Sequence, residues 1–271
     1  MKSGRNAPSP ADDPQFASTL ARGLEVLRCF SASDPILGNK DIAERTQLSR
    51  PTVVRLTHTL TELNYLRRVP GTLKYELGSA VLSLVYPLLA RINLRRVASL
   101  QMNELAKHSR GWVSIGVRDR TDMVYVETVH TGASPHLKRD IGQTFPIITS
   151  AMGHAYLASL DAQPRERLLH LIRIKSPRDW AQGGSSFQSS LVDFHSRGFC
   201  VRRGGASSPH VHTVAVPLTD PEKTETVVFN CAVPFRLLRR GQLENDLGPR
   251  LVGLVRSIEN TLSSGNIASG L

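Results

Sequence analysis

Cysteine is scarce in this chain of 271 residues: Cys29, Cys200 and Cys231 stand far apart, odd in number and without a Cys-x-x-Cys pair. That spacing builds neither a disulfide framework nor a cysteine zinc site, so a reducing cytoplasm is the expected compartment. No stretch approaches the roughly 18 uninterrupted apolar residues of a membrane span. No basic start followed by an apolar run marks a secretory leader, so neither membrane insertion nor export is expected. Enzyme signatures are missing as well: there is no G-x-S-x-G elbow, no phosphate loop, no HExxH and no dinucleotide fingerprint. Acidic residues are in deficit, 23 Asp and Glu against 34 Lys and Arg, which leaves a net charge of +11. Up to Ala98 there are 14 basic and 8 acidic residues, and 20 against 15 over the much longer remainder. The positive charge is densest at the N-terminal end, where a polyanion would dock.

What is present suits two packed domains and a linker, with 40% hydrophobic and 21% charged residues. Residues 1–15, with Gly4, Pro8, Pro10 and Pro14, bury little and read as a disordered tail. A DNA-binding domain is expected over 16–77, a linker and dimerisation helix over 78–98, the second domain over 99–262 and a short tail over 263–271. Leu20, Leu24 and Leu27 recur at helical spacing. A second helix is predicted after Asn39, a good N-cap, with Asp41 and Glu44 where the dipole favours acids. A third is capped by Ser49, carries Pro51 in its first turn and buries Val53, Leu56, Thr57, Leu60 and Leu63. Asn64 tolerates the left-handed turn that ends it. Two strands around Pro70-Gly71-Thr72 then form a hairpin. A broad apolar stripe of Val81, Leu84, Val85, Leu88, Leu89 and Ile92 follows, interrupted by Pro87. Beyond it, strands at 112–117, 123–129, 199–202, 211–216 and 226–233 mix with helices at 151–160, 164–172, 187–197 and 244–262, an α+β pattern.

Two helices on a short turn with a basic hairpin behind them make a winged helix-turn-helix. If the 53, 56, 60 face of the third helix is buried, then Arg50, Thr52, Val54, Arg55, His58 and Thr59 turn outward, where they reach base edges and phosphates in a major groove. Arg50 and Arg55 are the candidates for guanine or phosphate contacts, and Ser49, Thr52 and His58 extend the same edge. Arg67, Arg68 and Lys74 on the wing are placed to grip the backbone. The competing reading of these residues is a merely solvated helix face. A protein that coats DNA generally would instead spread its basic and aromatic residues over an extended surface.

The stretches ARGLEVLRCF (21–30) and DIAERTQLSRPTVVRLTHTLTELNYLRR (41–68) resemble the DNA-binding domain of the IclR family of bacterial regulators. The resemblance continues through MVYVETV (123–129), IGQTFPIITSAMGHAYLASL (141–160), RGFCV (197–201) and TVAVPLTD (213–220). It implies a C-terminal GAF-like α+β domain that binds a small organic effector, commonly a carboxylate, and a homodimer or tetramer on double-stranded operator DNA. The carried-over pocket comprises Leu137, Ala151, Met152, Ser207, Pro217, Asn230 and Ala232. Met152 and Asn230 replace residues that are small or hydroxylated in that family, Ser207 replaces an acid, and Gln47 and Asn64 replace glycines. A helix start at 149–153 offers free N–H groups and a positive dipole end to a carboxylate, and the bulk of Met152 favours an aromatic acid. No cofactor or metal is expected: His210 and His212 share a strand face, but no third ligand is near in sequence. The rival enzyme reading is a hydrolase using Ser150, His154 or His210, and Asp220.

Overall fold

The computed structural model describes residues 13–91, 94–130, 140–204, 209–218 and 226–263. The chain divides into two compact units after Arg91, so part of the stretch expected as linker, Leu94 to Ala98, begins a helix of the second unit. No described helix is long and apolar enough to cross a membrane.

In the first unit, α1 (Ser18–Arg28), β1 (Leu37–Gly38), α2 (Asn39–Thr46) and α3 (Arg50–Glu62) are followed by β2 (Leu66–Arg68), β3 (Lys74–Leu77) and α4 (Ala80–Arg91). The core is Val26, Phe30, Leu37, Ile42, Val53, Leu66 and Tyr75, drawn from every element between α1 and β3. Two capping expectations are corrected. Gly38, not Asn39, caps α2, and its N–H donates to the Asp41 carboxylate at 2.8 Å. Asn39 falls inside the helix, where its Oδ1 lies 3.1 Å from the Thr57 hydroxyl and ties α2 to α3. Ser49 holds the cap position of α3, but its hydroxyl pairs with Thr52 Oγ1 at 2.8 Å instead of capping the backbone. Leu63 is 56% exposed, because the helical period carries it off the stripe of Val53, Thr57 and Leu60 just as the helix ends. The three-stranded sheet runs β1-β3-β2, a short strand that the sequence did not reveal closing one edge of the wing. Pro87 lies within α4, and the side chains of Leu88, Leu89 and Ile92 lie outside the described residues.

The second unit comprises α5 (Leu94–Ser109), β4 (Trp112–Asp119), β5 (Asp122–His130), β6 (Thr144–Pro146), α6 (Ala151–Ser159), α7 (Ala162–Lys175), α8 (Pro177–Arg197), β7 (Cys200–Arg203), β8 (Val211–Leu218), β9 (Val227–Pro234) and α9 (Gly248–Ser263). Its six strands form one antiparallel sheet in the order β6-β5-β4-β9-β8-β7. Strand alternation sends Val113, Val214, Phe229 and Cys231 to one face, which α5 and α9 cover. Met123, Tyr125, Cys200, Ala215 and Val228 face the other side and pack with α6, α7 and α8. The helix expected from residue 187 starts ten residues earlier and runs through Gly183-Gly184. That pair reads as a breaker locally, yet it has a tertiary use. A Cβ on Gly183 would stand 2.0 Å from the Ile148 carbonyl oxygen, so only glycine lets α8 press against the 3-10 turn Ile147–Thr149 that leads into α6.

Gly183→Ala should therefore destabilise the second unit by about 1–3 kcal/mol through overpacking. Gly253→Ala, on α9 with open space around the new methyl, should stabilise by roughly 0.5–1 kcal/mol. Thermal unfolding of the whole chain checks both signs; an unchanged Tm for Gly183→Ala would remove the close contact from the account.

Candidate functional site

On α3, residues Arg50, Val54, Arg55, His58 and Thr59 are exposed and Thr52 is half-exposed, while Val53 and Thr57 are fully buried. The burial of one face thus turns the arginine-bearing side outward, as the spacing predicts. Among the described residues, Arg50, Arg55 and Lys74 enter no ion pair, so their charge is available to a polyanion. The wing is less uniform. Arg67 pairs with Glu76 directly across the hairpin at 2.9 Å, whereas the Arg68 guanidinium lies 6.0 Å from the Tyr75 ring centre and keeps its charge at the surface. Two left-handed residues set the angles of this frame. Gln47 (φ 57°) turns between α2 and α3, and its amide donates to the Glu44 carbonyl at 2.7 Å. Asn64 (φ 59°) ends α3 and starts the wing.

The second unit holds a cavity of about 80 Å³ between the sheet and the start of α6. Trp112 pairs with Ala232, Ala232 with Thr213 and Thr213 with Arg202, so these four side chains stand in one row across β4, β9, β8 and β7 on the α6 side. The two middle residues are small and make the floor, and the long Trp112 and Arg202 rise at either end. Asn230 lies two residues from Ala232 on the same face. Tyr125 and Phe145, with ring centres 4.6 Å apart, add an aromatic wall. The roof is Thr149, Ser150, Ala151 and Met152, where Ser150 Oγ caps the helix by accepting from Gly153 N–H at 3.0 Å. The bulk of Met152 is taken up by a missing side chain opposite, since a Cβ on Gly116 would meet its sulfur at 2.3 Å.

Four of the residues expected in the pocket, Ala151, Met152, Asn230 and Ala232, line this cavity together. Pro217 is corrected: it shares the face of Thr213 but stands four residues further along β8 and does not line the cavity. Leu137 and Ser207 lie outside the described residues, as does Asp220 of the hydrolase reading. Sequence reasoning missed Trp112, Tyr125, Phe145, Thr213 and Arg202. The available signal was an arginine two residues after the apolar Cys200 on the same strand face, but its inward direction depends on register with β8.

The cavity is short of hydrogen-bond partners. Trp112 Nε1, Arg202 Nε and Asn230 Oδ1 are buried and unpartnered among the described residues. Arg202 donates through Nη1 to Ser186 Oγ at 3.0 Å, and burial pushes its pKa down from the usual arginine value. His154 is fully buried below the helix start and faces away from the cavity. Its Nε2 lies 2.8 Å from the Ile148 carbonyl and must carry the proton, so Nδ1, 2.8 Å from Ser190 Oγ, accepts. Both nitrogens are thereby engaged, and His154 cannot serve Ser150 as a base or an anion as a donor. His210 and His212 flank Phe235, and no group of three potential metal ligands occurs among the described residues.

A winged helix with an open basic helix, in one chain with an α+β unit that encloses a cavity between its sheet and a helix start, defines a DNA-binding transcription regulator with an effector domain. The chain belongs to the IclR family: the IclR helix-turn-helix domain matches residues 19–70 and the bacterial transcriptional regulator IclR C-terminal domain matches 87–260. It is 29% identical to the HTH-type transcriptional regulator TsaQ1/TsaQ2 of Comamonas testosteroni over 89% of this chain and 87% of that protein. An IclR family transcriptional regulator from Brucella abortus superposes with a TM-score of 0.83 at 39% identity, covering 94% of this chain and 96% of the other. A Microbacterium hydrocarbonoxydans IclR homologue, solved in complex with 4-hydroxybenzoate, shares the fold with a TM-score of 0.69 at 21% identity, covering 91% and 99%.

The buried imidazole makes stability depend on pH. Desolvation lowers the His154 pKa from 6.5 to about 4, although its bond to Ile148 opposes the shift. The unfolded chain then binds the extra proton first, so this stabilisation is complete above about pH 6.5 and is lost progressively as pH falls toward 4. Replacing His154 by Gln should flatten that slope, which is on the order of 3 kcal/mol across the window. Asp246, which hydrogen bonds from His108, Arg250 and Gln242 hold at about 2 against the opposing desolvation, stays ionised throughout and does not mask it. Urea unfolding of both forms between pH 8 and 4.5 provides the test, and parallel curves would exclude His154 as the origin.

Proposed function

We propose that the chain binds double-stranded operator DNA through the exposed edge of α3, and that an organic carboxylate in the α6 cavity controls this binding. The observation that carries the reading is the open, uncompensated positive face of α3. In it, Arg50 and Arg55 contact guanine edges or phosphates, Ser49, Thr52 and His58 complete the groove-facing edge, and Arg68 and Lys74 of the wing hold the backbone. Arg67 contributes less, because Glu76 already neutralises it.

For the effector, support comes from Ala151 and Met152 at the helix start, from Asn230 and Ala232 on the sheet, and from the cationic Arg202 in the same cavity. A carboxylate suits both the guanidinium and the positive end of the α6 dipole. The Microbacterium homologue of the same fold is complexed with an aromatic acid, 4-hydroxybenzoate. Control requires that the effector bind one arrangement of the protein better than another.

The protein acts as a homo-oligomer in the cytoplasm and is not an enzyme. Leu20 and Leu24 of α1 are exposed, as is Phe16 just before it, and Leu82, Leu84 and Tyr86 of α4 are exposed as well. A second copy covering these side chains would pair two α3 helices on half-sites about one DNA turn apart. The engagement of both His154 nitrogens argues against the hydrolase reading.

Fragments selected from genomic DNA by the full-length protein would supply the operator. On it, Arg55→Ala should lose about 1–3 kcal/mol and most of its preference over random DNA. Lys74→Ala should weaken all sequences alike and lower the salt slope by about one counterion. Equal affinity and selectivity for Arg55→Ala in a fluorescence titration would take Arg55 out of the recognition set.

A further inference from the structure

We infer that Val54 of α3 reads the C5-methyl group of a thymine in the major groove of the operator. The inference rests on the DNA-binding reading above and adds to it a specificity-determining residue that is neither charged nor polar.

Val54 differs from the other aliphatic side chains of α3. Val53 is fully buried, and Leu56 and Leu60 pack partly buried against the core of the first unit, but Val54 is 49% exposed, off that stripe. A single exposed aliphatic side chain on an arbitrary surface calls for no explanation. This one stands inside the polar face of the helix. Arg50 lies one turn before it, His58 one turn after it and Arg55 beside it, and all three are exposed. A β-branched residue also has a weaker helix propensity than the straight-chain residues that suit an exposed helix face, so local structure gives no reason for a valine here.

Chemistry limits what such a side chain can meet in a groove. Valine neither donates nor accepts a hydrogen bond, so against a phosphate, a guanine edge or an adenine amino group it strips water and returns nothing. Of the four bases only thymine presents a methyl group in the major groove. Contact with that methyl takes apolar surface of both partners out of water, and the same valine penalises a polar edge at this position, so the wrong base is rejected as well as the right one attracted. Placement and stiffness favour the contact. One turn of α3 advances about 6 Å, close to two base-pair steps of about 3.4 Å, so Val54 faces bases between those that Arg50 and His58 reach. The Thr57 hydroxyl lies 3.1 Å from both the Val54 carbonyl and Asn39 Oδ1, which ties this turn of α3 to α2. In a helix the valine side chain is held to one main rotamer, so little freedom is lost when the contact forms.

Operator fragments in which the thymines of each half-site are replaced one at a time by deoxyuridine, which deletes only the C5-methyl group, test the assignment in fluorescence titrations of the full-length protein. In the wild type at least one replacement should weaken binding about three- to fivefold, the worth of one buried methyl group. In Val54→Ser the same replacement should change affinity by less than about 1.5-fold, whereas Val54→Ile, which keeps the apolar surface, should retain the wild-type response. The wild-type arm stands whatever the variants do to folding. A wild type that binds every deoxyuridine fragment as tightly as the parent overturns the inference, and so does a response that keeps its full size in Val54→Ser. Where either result is accompanied by a loss of operator binding in Arg55→Ala, only the valine assignment falls. If Arg55→Ala is without effect too, the reading of α3 as the groove-facing helix falls with it.

Discussion

The second unit depends on how closely the backbone leading into α6 is gripped by its neighbours. A Cβ on Gly153 would stand 2.1 Å from the Ile147 carbonyl oxygen, and one on Gly183 would stand 2.0 Å from that of Ile148. Two glycines on different helices therefore hold the 3-10 turn between them at backbone distance. His154 locks the arrangement from below, with one nitrogen on Ile148 and the other on Ser190 of α8. The helix start is left no freedom to slide, so its position over the row Trp112, Ala232, Thr213 and Arg202 is a property of the fold. Desolvating a neutral imidazole is the energetic counterpart of that rigidity.

Arg202 belongs to the same framework. Its Nη1 donates to Ser186, whose hydroxyl in turn donates to the Gly183 carbonyl, so the guanidinium is held from α8 while its Nε is buried without a partner among the described residues. A cation fixed in this way needs little reorganisation to accept an anion. Met152 and Gly116 show the same logic in apolar form, a large residue accommodated by the absence of a side chain across from it. In the first unit the corresponding constraints are the left-handed residues Gln47 and Asn64. A left-handed backbone costs roughly 1–2 kcal/mol for a residue with a Cβ. The bond from the Gln47 amide to the Glu44 carbonyl offsets part of that by satisfying the end of α2.

Much of the fold was legible along the chain wherever a periodic pattern exceeded about one helical turn or four strand residues. The five second-unit strands that were predicted all occur, as do α6, α7 and α9. What escaped notice had no local signal. β1 and β6 are two and three residues long and exist only because β3 and β5 offer them hydrogen bonds. The first half of α8 reads as a break because Gly183-Gly184 is unfavourable in an isolated helix, whereas the cost is repaid by contact with the 3-10 turn. Asn39 was expected to cap α2 and instead bonds to Thr57, eighteen residues away. The cavity was half legible: Ala151, Met152, Asn230 and Ala232 follow from resemblance, but nothing local marks Trp112 or Arg202 as facing it.

The amino-acid order alone determined the two-domain organisation, the helix-turn-helix with its wing, and which side of α3 carries the arginines. Each of these follows from spacing within one element, where the helical period assigns every residue a direction. Tertiary structure decided which arginines are spoken for and what the cavity asks of a ligand. Arg67 is neutralised by Glu76 and Arg203 by Glu244, while Arg55 is exposed and the Nε of Arg202 is buried without a partner among the described residues. Charge and hydrogen-bond satisfaction are properties of neighbours in space, and strand register, which brings Trp112 and Arg202 into one row across four strands, is set by the packing of the whole sheet.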